Sequence, residues 1–311
     1  MRVVVTGILG FVGTHLARRL VLNNHAVTGI DIAEASHPWY GDVRDPHLID
    51  RFRGAEIIYH LAAESSVLRA ESDRELSFGT NVSGTFQVLN AAAAAGVRRV
   101  VFTSSREVYG QARSIPVRES AELLPRNHYG ATKAAAEMFC SAMRDVEVTV
   151  LRLSNVYGPG DRGRVITEFV RAALDRRSLT IFGSGKILDL LWIEDAIDAL
   201  CRAAVYPVAG KILNIGSGIP VQLLELAGHV VRLTGTNSPI RMAARREVEV
   251  DSYVADISLA RRLLDFKPET QLTTGLEQTI ISLSGYTGYA RGTVDGDTAG
   301  RSLSFGTCLP E

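Results

Sequence analysis

A glycine-rich turn directly after the first apolar segment constrains the fold more than any other stretch of this chain. Residues 3–5 are valines, and they lead into Thr6-Gly7-Ile8-Leu9-Gly10-Phe11-Val12-Gly13. Glycines at this spacing let the backbone turn tightly after a strand and let the following helix pack closely against it. The first N–H groups of such a helix have no partner within the helix, and they lie at its positive dipole end. The loop can therefore bind phosphate groups, although simple turn glycines are the alternative.

Asp31 supplies a second part of the same candidate site. It ends the next apolar strand, 18 residues beyond Gly13. A carboxylate at that place accepts hydrogen bonds from ribose hydroxyls, and it repels the additional phosphate of NADP. No arginine follows in Ile32-Ala33-Glu34. The sequence therefore predicts NAD as the cofactor. Asp42-Val43 is either a wall of the adenine site or an ordinary turn.

Short β-branched runs alternate with helix-like segments through the first half of the chain. The predicted strands are Arg2–Thr6, Ala26–Asp31, Ile57–Leu61, Arg99–Thr103 and Val148–Leu153, and the predicted helices are Phe11–Asn23, Thr80–Ala95 and Tyr129–Met143. This alternation predicts a parallel sheet with helices on both faces. Near-continuous Val and Ile runs suit strands that are buried on both sides. The predicted fold class is α/β, a Rossmann doubly wound parallel sheet.

The pattern changes after Tyr157-Gly158-Pro159-Gly160. Further helices are predicted at Val165–Leu174, Glu194–Ala204, Val221–Leu233 and Ile257–Leu264, with strands at Leu179–Phe182 and Lys211–Ile215. We expect an NAD-binding Rossmann domain over residues 1–158, to which residues 190–215 return. A smaller C-terminal α/β substrate-binding lobe is expected over 159–284. Residues 285–311 are rich in Gly, Thr and Ser without periodicity, which predicts a flexible tail.

The overall charge excludes two classes of partner. Thirty-four basic residues balance thirty-four acidic ones, so there is no electrostatic footprint for nucleic acid or for an anionic membrane surface. No apolar stretch reaches the length of a membrane span, and the first residues do not form a signal peptide. Cys140, Cys201 and Cys308 lie far apart, and neither they nor the histidines have metal-ligand spacing. These features favour a soluble cytoplasmic protein that holds no metal ion.

Tyr129 and Lys133 are the candidates for chemistry. They lie four residues apart on one face of a predicted helix. An ammonium group near a phenol lowers the phenol pKa, which would make Tyr129 a general acid/base for a sugar hydroxyl. A pair on the helix surface is the alternative. Ser104 and Ser105 end a strand, where parallel sheets bind ligands, although a strand-end cap is also possible.

These motifs occur together with others in a fixed order along the chain. The order is Thr6-Gly7-x-x-Gly10-x-x-Gly13, Asp31, His60-Leu61-Ala62-Ala63, Asn81-Val82, Ser104-Ser105, Val108-Tyr109-Gly110, Tyr129-x-x-x-Lys133, Asn155-Val156-Tyr157-Gly158-Pro159 and Arg246 with Ala255-Asp256. Over roughly residues 1–280 the chain resembles the extended short-chain dehydrogenase/reductase family. Within that family it is similar to the NAD-dependent nucleotide-sugar epimerase/dehydratase branch, which includes UDP-glucose 4-epimerase-like proteins.

The resemblance implies a catalytic triad of Ser105, Tyr129 and Lys133. Tyr129 removes the proton from O4 of the sugar while C4 gives a hydride to NAD, and Ser105 hydrogen-bonds the same oxygen. Lys133 also holds the nicotinamide ribose, and a 4-keto sugar forms. The implied cofactor site comprises Gly7, Gly10, Phe11, Val12, Gly13, Asp31, Ile32, Asp42, Val43, Leu61, Ala62, Ala63, Asn81, Thr103, Tyr129 and Lys133.

The residues after Ser105 depart from the family pattern. Members that resemble 4,6-dehydratases carry Asp-Glu there, those that resemble UDP-glucuronate decarboxylases carry Ser-Glu, and typical 4-epimerases carry small or neutral residues. This chain has Arg106-Glu107. Arg106 cannot act as an acid at neutral pH, but it can pair with Glu107 or bind an anionic substrate group. Glu107 is therefore either a catalytic residue or half of a structural ion pair.

Leu188 is a second departure, because the family usually has an arginine there that holds the substrate diphosphate. Lys186 is a candidate replacement. The resemblance keeps Arg246 as a phosphate-binding residue, Glu249 at the nucleotide ribose and Asn155 near the phosphates. The expected substrate is therefore still a nucleotide-diphosphate sugar.

Arg162 is the remaining candidate substrate-binding residue, beside Ser105 and Arg106. With Arg164 it follows the Tyr157-Gly158-Pro159 turn. In members that resemble uronic-acid epimerases, an arginine near this place binds the sugar carboxylate. A solvated loop is the alternative.

Three functions remain open at this stage. The intact triad favours a 4-epimerase, Glu107 favours a dehydratase or decarboxylase, and a non-catalytic NAD sensor on the same fold is the third hypothesis. The alanine-rich helices at residues 80–95 and 129–143 match a pair that forms a four-helix dimer interface in this family, so the resemblance predicts a homodimer. Burial of these helix faces within a monomer is the alternative.

Overall fold

The computed structural model describes residues 1–285, so the tail expected at 285–311 lies outside the described residues except for Gly285. The strands are β1 (Arg2–Thr6), β2 (Ala26–Ile30), β3 (Ile57–His60), β4 (Arg99–Ser105), β5 (Glu147–Leu153), β6 (Asn155–Tyr157), β7 (Leu179–Phe182), β8 (Ile187–Trp192), β9 (Ile212–Ile215), β10 (Pro220–Gln222) and β11 (Ile240–Ala243). The helices are α1 (Phe11–Leu22), α2 (Leu48–Phe52), α3 (Val67–Ser72), α4 (Arg74–Phe78), α5 (Gly84–Ala94), α6 (His128–Ala142), α7 (Val165–Leu174), α8 (Ile193–Val205), α9 (Leu223–Thr234), α10 (Ser258–Leu264) and α11 (Leu272–Ser284).

Six parallel strands form the central sheet in the order β2-β1-β3-β4-β5-β9. All seven residues of β4 are buried, because helices cover both faces of the sheet. The direction of winding reverses between β1 and β3, and ligands of such sheets bind in the crevice that this reversal leaves at the carboxyl ends of the strands. The predicted Rossmann-type α/β fold is confirmed.

The strand expected at 211–215 is β9, which pairs with β5 at the edge of the central sheet. Two small sheets form outside it, one in the order β10-β8-β6 and the other from β11 and β7. Helix α7 belongs to this second part of the chain. It buries Ile166, Phe169, Val170 and Ala173, whose spacing places them on one face of the helix.

Two predicted helices begin two or more residues away from the expected position. The helix expected from Thr80 starts with a π-helical turn over Gly79–Ser83 before α5. The helix expected from Val221 starts at Leu223, because Pro220–Gln222 pairs antiparallel with β8. That pairing joins segments far apart in sequence, so local periodicity could not indicate it. No helix within residues 1–285 is long and apolar enough to cross a membrane.

Candidate active site

A cavity of about 1250 Å³ lies at the crevice between β1 and β3 and continues into the second part of the chain. Pockets for one small ligand are roughly 300–1,000 Å³, so this cavity has room for a dinucleotide and a second ligand. Its lining includes nearly all the residues predicted for the cofactor: Gly7, Gly10, Phe11, Val12, Gly13, Asp31, Ile32, Asp42, Val43, Leu61, Ala62, Ala63, Thr103, Tyr129 and Lys133. It also includes the residues predicted for the substrate: Ser105, Arg106, Asn155, Arg162, Arg246 and Glu249.

Asn81 is the exception among the predicted cofactor residues. It is completely buried and does not contribute to the cavity lining. Its Oδ1 accepts a hydrogen bond from the Glu64 amide at 2.8 Å, and its Nδ2 donates to the Glu64 carbonyl and to Thr132 Oγ1. Asn81 thereby fixes the segment after β3 against α6. Its role at the cofactor stays a prediction.

The glycine-rich loop fits a pyrophosphate because its backbone is packed too closely for side chains. A Cβ on Gly13 would lie 2.0 Å from the Gly7 carbonyl oxygen, and a Cβ on Gly7, where φ is +73°, would lie 2.8 Å from the Ala62 nitrogen. Helix α1 begins after Gly10, and no side chain caps it. Its first amides are therefore available to phosphate oxygens.

Replacing Gly13 by alanine is expected to weaken NAD binding by at least about tenfold, because the loop must shift to relieve a clash between backbone and Cβ. The dissociation constant of NAD, measured by calorimetry, tests this. The control is Gly228→Ala in α9, where a Cβ meets nothing within 4 Å. That change removes a helix-interior glycine and should stabilise the fold by roughly 0.5–1 kcal/mol without affecting NAD binding. Equal NAD affinities in the two variants would contradict the prediction.

Asp31 is held firmly at the end of β2. Its Oδ2 accepts a hydrogen bond from the Leu9 amide at 2.8 Å, and its Oδ1 accepts one from the Ala33 amide at 2.9 Å. The carboxylate is thereby attached to the glycine-rich loop and lines the cavity. Asp42, the candidate adenine wall, also lines the cavity, but Arg44 binds both of its carboxylate oxygens.

Helix α6 positions Tyr129 and Lys133 against the end of β4. Asn127 caps the helix by accepting a hydrogen bond from the Gly130 amide at 2.8 Å. The buried Lys133 Nζ donates to the Thr103 carbonyl at 2.9 Å. Ser105, the last residue of β4, lines the same cavity wall, and its hydroxyl acts on the Tyr129 phenol. The structure therefore brings the three predicted catalytic side chains together at the cavity wall.

The prediction that Lys133 lowers the pKa of Tyr129 is wrong. Burial raises the Tyr129 pKa above its ordinary value. The groups that oppose this rise are the Ser105 hydroxyl and the guanidinium groups of Arg164 and Arg106. Desolvation outweighs them because the phenolate loses its hydration inside the protein.

Burial also changes Lys133, whose pKa falls to about 8. Because the folded state then binds this proton more weakly than the unfolded state, stability contributed by Lys133 rises as the pH increases from about 8 towards 10.5. The free energy of unfolding of the wild type, minus that of Lys133→Met, is expected to grow by an amount on the order of 2 kcal/mol between pH 7.5 and 9.5. Urea unfolding at both pH values tests this, with the exposed Lys211→Met as the control. A constant difference would contradict it.

Arg106 and Glu107 form an ion pair, with 2.7 Å between Nη2 and Oε1. Their side chains are 12% and 7% exposed, so water screens the pair only weakly. The other carboxylate oxygen of Glu107 accepts a hydrogen bond from Asn127 Nδ2 at 2.8 Å. Of the two possibilities for Arg106, the structure shows the pair with Glu107. Both residues line the cavity.

Successive side chains of β8 point alternately into the cavity and into the protein interior. Lys186, just before the strand, and Leu188 and Leu190 within it line the cavity, whereas Asp189 does not. Asp189 is fully buried, and it accepts hydrogen bonds from the amides of Ser217, Gly218 and Ala255. Leu188 thus occupies the cavity wall where the family arginine is expected, and Lys186 provides a cation on the same wall.

Lys186 belongs to a charged group at the far end of the cavity. Its ammonium is 5% exposed and pairs closely with Glu249, which also binds Arg246 at 3.0 Å. These two cations hold the pKa of Glu249 below its ordinary value despite the burial of the carboxyl group. The Arg246 guanidinium carbon lies 3.6 Å from the centre of the Phe182 ring. Two cations share one carboxylate here, so this wall carries a local excess of positive charge.

Phe182 was not predicted as a site residue. Its only local signal is its place at the end of a short strand, and that did not indicate the ring's contact with Arg246. Arg164, named with Arg162 after the Tyr157-Gly158-Pro159 turn, has its guanidinium 5.4 Å from the centre of the Phe11 ring and 3.0 Å from Asp161. Arg162 lies in the cavity lining as predicted.

A buried ion pair joins the elements that carry the predicted catalytic residues. Glu137, one turn after Lys133 on α6, binds Arg152 of β5 at 2.5 Å, and both side chains are 3% exposed. Ser104 Oγ donates to the same carboxylate, and Arg152 Nη1 donates to the Tyr109 hydroxyl at 2.8 Å. The pair therefore connects the helix that carries Tyr129 and Lys133 to the strand end that carries Ser105.

Comparisons with known proteins agree with this geometry. The chain is 32% identical to a UDP-glucose 4-epimerase of Mycolicibacterium smegmatis, over 90% of this chain and 97% of that protein. It is 30% identical to a UDP-N-acetyl-alpha-D-glucosaminuronate decarboxylase of Bacillus cytotoxicus, over 90% of this chain and 96% of that protein. Among solved structures, the dTDP-glucose 4,6-dehydratase DesIV of Streptomyces venezuelae, with NAD bound, superposes with a TM-score of 0.85 at 30% identity, covering 92% of this chain and 97% of that one.

These relatives catalyse different reactions, and at about 30% identity they do not distinguish which reaction this chain catalyses. Their names agree on enzymes that act on nucleotide sugars, and DesIV holds NAD. The model of the NAD dependent epimerase/dehydratase family matches residues 3–216. The chain belongs to that family of enzymes.

Proposed function

We propose that the protein is an NAD-dependent nucleotide-sugar 4-epimerase that acts through a transient 4-keto sugar. The observation that carries the proposal is the Arg106–Glu107 ion pair beside the Ser105, Tyr129 and Lys133 side chains. The three side chains provide what oxidation at a sugar C4 requires. The ion pair occupies the carboxylate that a dehydration or a decarboxylation would use.

The side chains divide the work of the reaction. Tyr129 takes the proton from the O4 hydroxyl and later returns it, while Ser105 hydrogen-bonds the same oxygen. Lys133, one turn after Tyr129 on α6, holds the nicotinamide ribose. NAD, which the glycine-rich loop and Asp31 would hold, would supply the acceptor and donor of the C4 hydride, and return of the hydride to the opposite face of the sugar inverts the carbon.

The positive wall of the cavity suits a nucleotide diphosphate. Lys186 and Arg246 lie close together there, and both are able to bind phosphate oxygens when Glu249 turns to a ribose hydroxyl. Asn155 lies nearer the reaction centre, where its Nδ2 donates to the Asp189 carbonyl at 3.0 Å. Arg162 lines the cavity on the side of α7. We infer that these residues hold the substrate.

Product mass tests the proposal directly. The protein is incubated separately with UDP-glucose, UDP-glucuronate and dTDP-glucose, and the products are separated by chromatography and weighed by mass spectrometry. An unchanged mass with altered retention is expected for at least one of them. A product that has lost water, or one that has lost carbon dioxide, with no epimer present, would show that the proposal is wrong.

Dehydration or decarboxylation is the second candidate function. Glu107 favours it, because this carboxylate lines the cavity and its charge acts on the Tyr129 phenol. Relatives with both activities add support. Under this alternative Glu107 must separate from Arg106 during turnover, and the same product masses distinguish the two functions.

We propose in addition that the protein is a homodimer built on α5 and α6. Phe86 of α5 and Phe139 of α6 are 43% and 40% exposed, and their rings contact each other at 5.4 Å between centroids. Met138 beside them is 68% exposed. Such a grouped apolar surface on two adjacent helices is typical of an interface.

Light scattering is expected to give the mass of a dimer for the wild type and of a monomer for Phe139→Lys. Leu22→Lys on α1 is the matched control, because Leu22 is equally apolar and 68% exposed but lies outside the α5–α6 surface. The control variant should remain a dimer. A monomeric wild type would rule out the proposal.

A further inference from the structure

A base that lies beside a 4-keto sugar can remove a proton from a carbon next to the ketone. The hydrogens on C3 and C5 become acidic once C4 is a ketone, because the resulting carbanion is stabilised as an enolate. An epimerase has to return the hydride before these hydrogens are lost. A buried carboxylate next to the reacting oxygen is therefore a hazard for this reaction, unless something restrains it.

Glu107 is such a carboxylate in this protein. It is 6% exposed, lines the cavity, and lies two residues after Ser105, whose Oγ accepts a hydrogen bond from the Glu107 amide at 3.2 Å. Its negative charge is close enough to raise the pKa of the Tyr129 phenol. The carboxylate is thus adjacent to the two side chains that contact the sugar O4 in the proposed reaction.

Two partners hold the carboxylate, one at each oxygen. Arg106 Nη2 binds Oε1 at 2.7 Å, and Asn127 Nδ2 binds Oε2 at 2.8 Å. Asn127 is immobilised because it caps α6 and also donates to the Val248 carbonyl. Arg106 is held by a contact of its Nε with Asn155 Oδ1 at 3.3 Å and lies 5.9 Å from the centre of the Tyr253 ring. Neither partner follows a movement of the carboxylate easily.

Separating Glu107 from Arg106 carries a specific energetic penalty in this arrangement. The pair is nearly excluded from water, so a carboxylate that moves away towards the sugar leaves the Arg106 guanidinium as a buried charge without compensation. Burial makes an unpaired guanidinium far less favourable than it is in water. The ion pair therefore opposes any step in which Glu107 accepts a proton from carbon.

We propose that Arg106 determines reaction specificity by preventing Glu107 from enolising the 4-keto intermediate. This inference rests on the proposed 4-epimerase function and deepens it. The step that Arg106 suppresses transfers the proton of a carbon adjacent to C4 to a Glu107 oxygen, and the electron pair of the C–H bond becomes the double bond of a C4 enolate. Reversal of the step in D₂O places deuterium on that carbon.

Deuterium incorporation during turnover in D₂O tests the proposal, with the epimerised nucleotide sugar analysed by proton NMR and mass spectrometry. The wild type is expected to return substrate and product without carbon-bound deuterium, because the hydride stays within the enzyme. Arg106→Met is expected to raise deuterium incorporation per turnover at C3 or C5 by roughly tenfold or more. Arg106→Lys keeps a cation without the planar fork of arginine, and it should give an intermediate increase.

The control is the double variant Arg106→Met/Glu107→Gln, which lacks the base and should lose the incorporated deuterium again. Three results would overturn the proposal: Arg106→Met that epimerises without deuterium, deuterium that persists in the double variant, or a wild type that exchanges equally well. If Arg106→Met does not fold, absence of deuterium with Arg106→Lys overturns it equally. A wild type that releases water and no epimer refutes the proposed function itself, and the two failures are therefore distinguishable.

Discussion

Replacing Tyr129 by phenylalanine is expected to lower kcat by about 10²–10⁴-fold, the contribution typical of a positioned general acid/base. The phenol lines the cavity together with Ser105, and burial raises its pKa. Without the hydroxyl, no side chain at this position can take the O4 proton. The ring remains in place, so the affinity for NAD should change by no more than about twofold. Initial rates and calorimetric NAD titrations measure the two quantities.

Tyr206→Phe is the matched control for this substitution. Its hydroxyl contacts Arg202 and lies outside the cavity lining, so kcat should stay close to that of the wild type. A Tyr129→Phe protein with unchanged biological activity would favour the NAD-sensor hypothesis over catalysis by this chain. Loss of NAD binding together with kcat would instead indicate that the substitution damaged the site.

Replacing Arg152 by methionine is expected to lower the free energy of unfolding by about 3–5 kcal/mol. Glu137 would then remain as a charge in a site where only 3% of its side chain is exposed. The same change removes the donor to the Tyr109 hydroxyl and the guanidinium that lies 4.8 Å from the centre of the Tyr109 ring. Urea unfolding at pH 7 measures the loss.

Two further variants separate burial of the charge from loss of the side chain. Arg152→Met/Glu137→Gln removes both charges, and it should recover a large part of the lost stability because no unpaired ion remains. Arg53→Met breaks an ion pair with Asp50 in which the two side chains are 71% and 66% exposed. This substitution should lower the free energy of unfolding by less than about 1 kcal/mol. Equal losses for Arg152→Met and Arg53→Met would mean that the buried pair does not stabilise the fold.

Local sequence signals were sufficient for most of the fold. Val165–Leu174 and Leu179–Phe182 occur with the bounds predicted, because strong helical periodicity and a short β-branched run define them locally. Strand β8 was not predicted. It is held by pairing with β6 and β10, and both pairings depend on residues distant in sequence.

Some residues of the candidate site could be predicted from the sequence. These are the residues whose type and spacing along the chain are enough to indicate a function. The glycines, Asp31, Tyr129 and Lys133 are of this kind, and all of them line the cavity. The relation between Arg106 and Glu107 was left open, because the choice depends on Asn127 and Asn155, which approach from other elements. The contacts of Asn81 could not be predicted for the same reason, since its partners Glu64 and Thr132 come from different parts of the chain.

The two sides of β8 have unequal tolerance to sequence change. Asp189 fastens the segments that carry Ser217, Gly218 and Ala255 to one strand, so its replacement would release three backbone connections at once. Leu188, its neighbour in the chain, faces the cavity and holds none of them. The buried side of the strand is therefore constrained by its hydrogen bonds, whereas the side that faces the cavity tolerates substitution. In such an arrangement, substrate preference can diverge among related proteins at position 188 while the framework that presents that position stays the same.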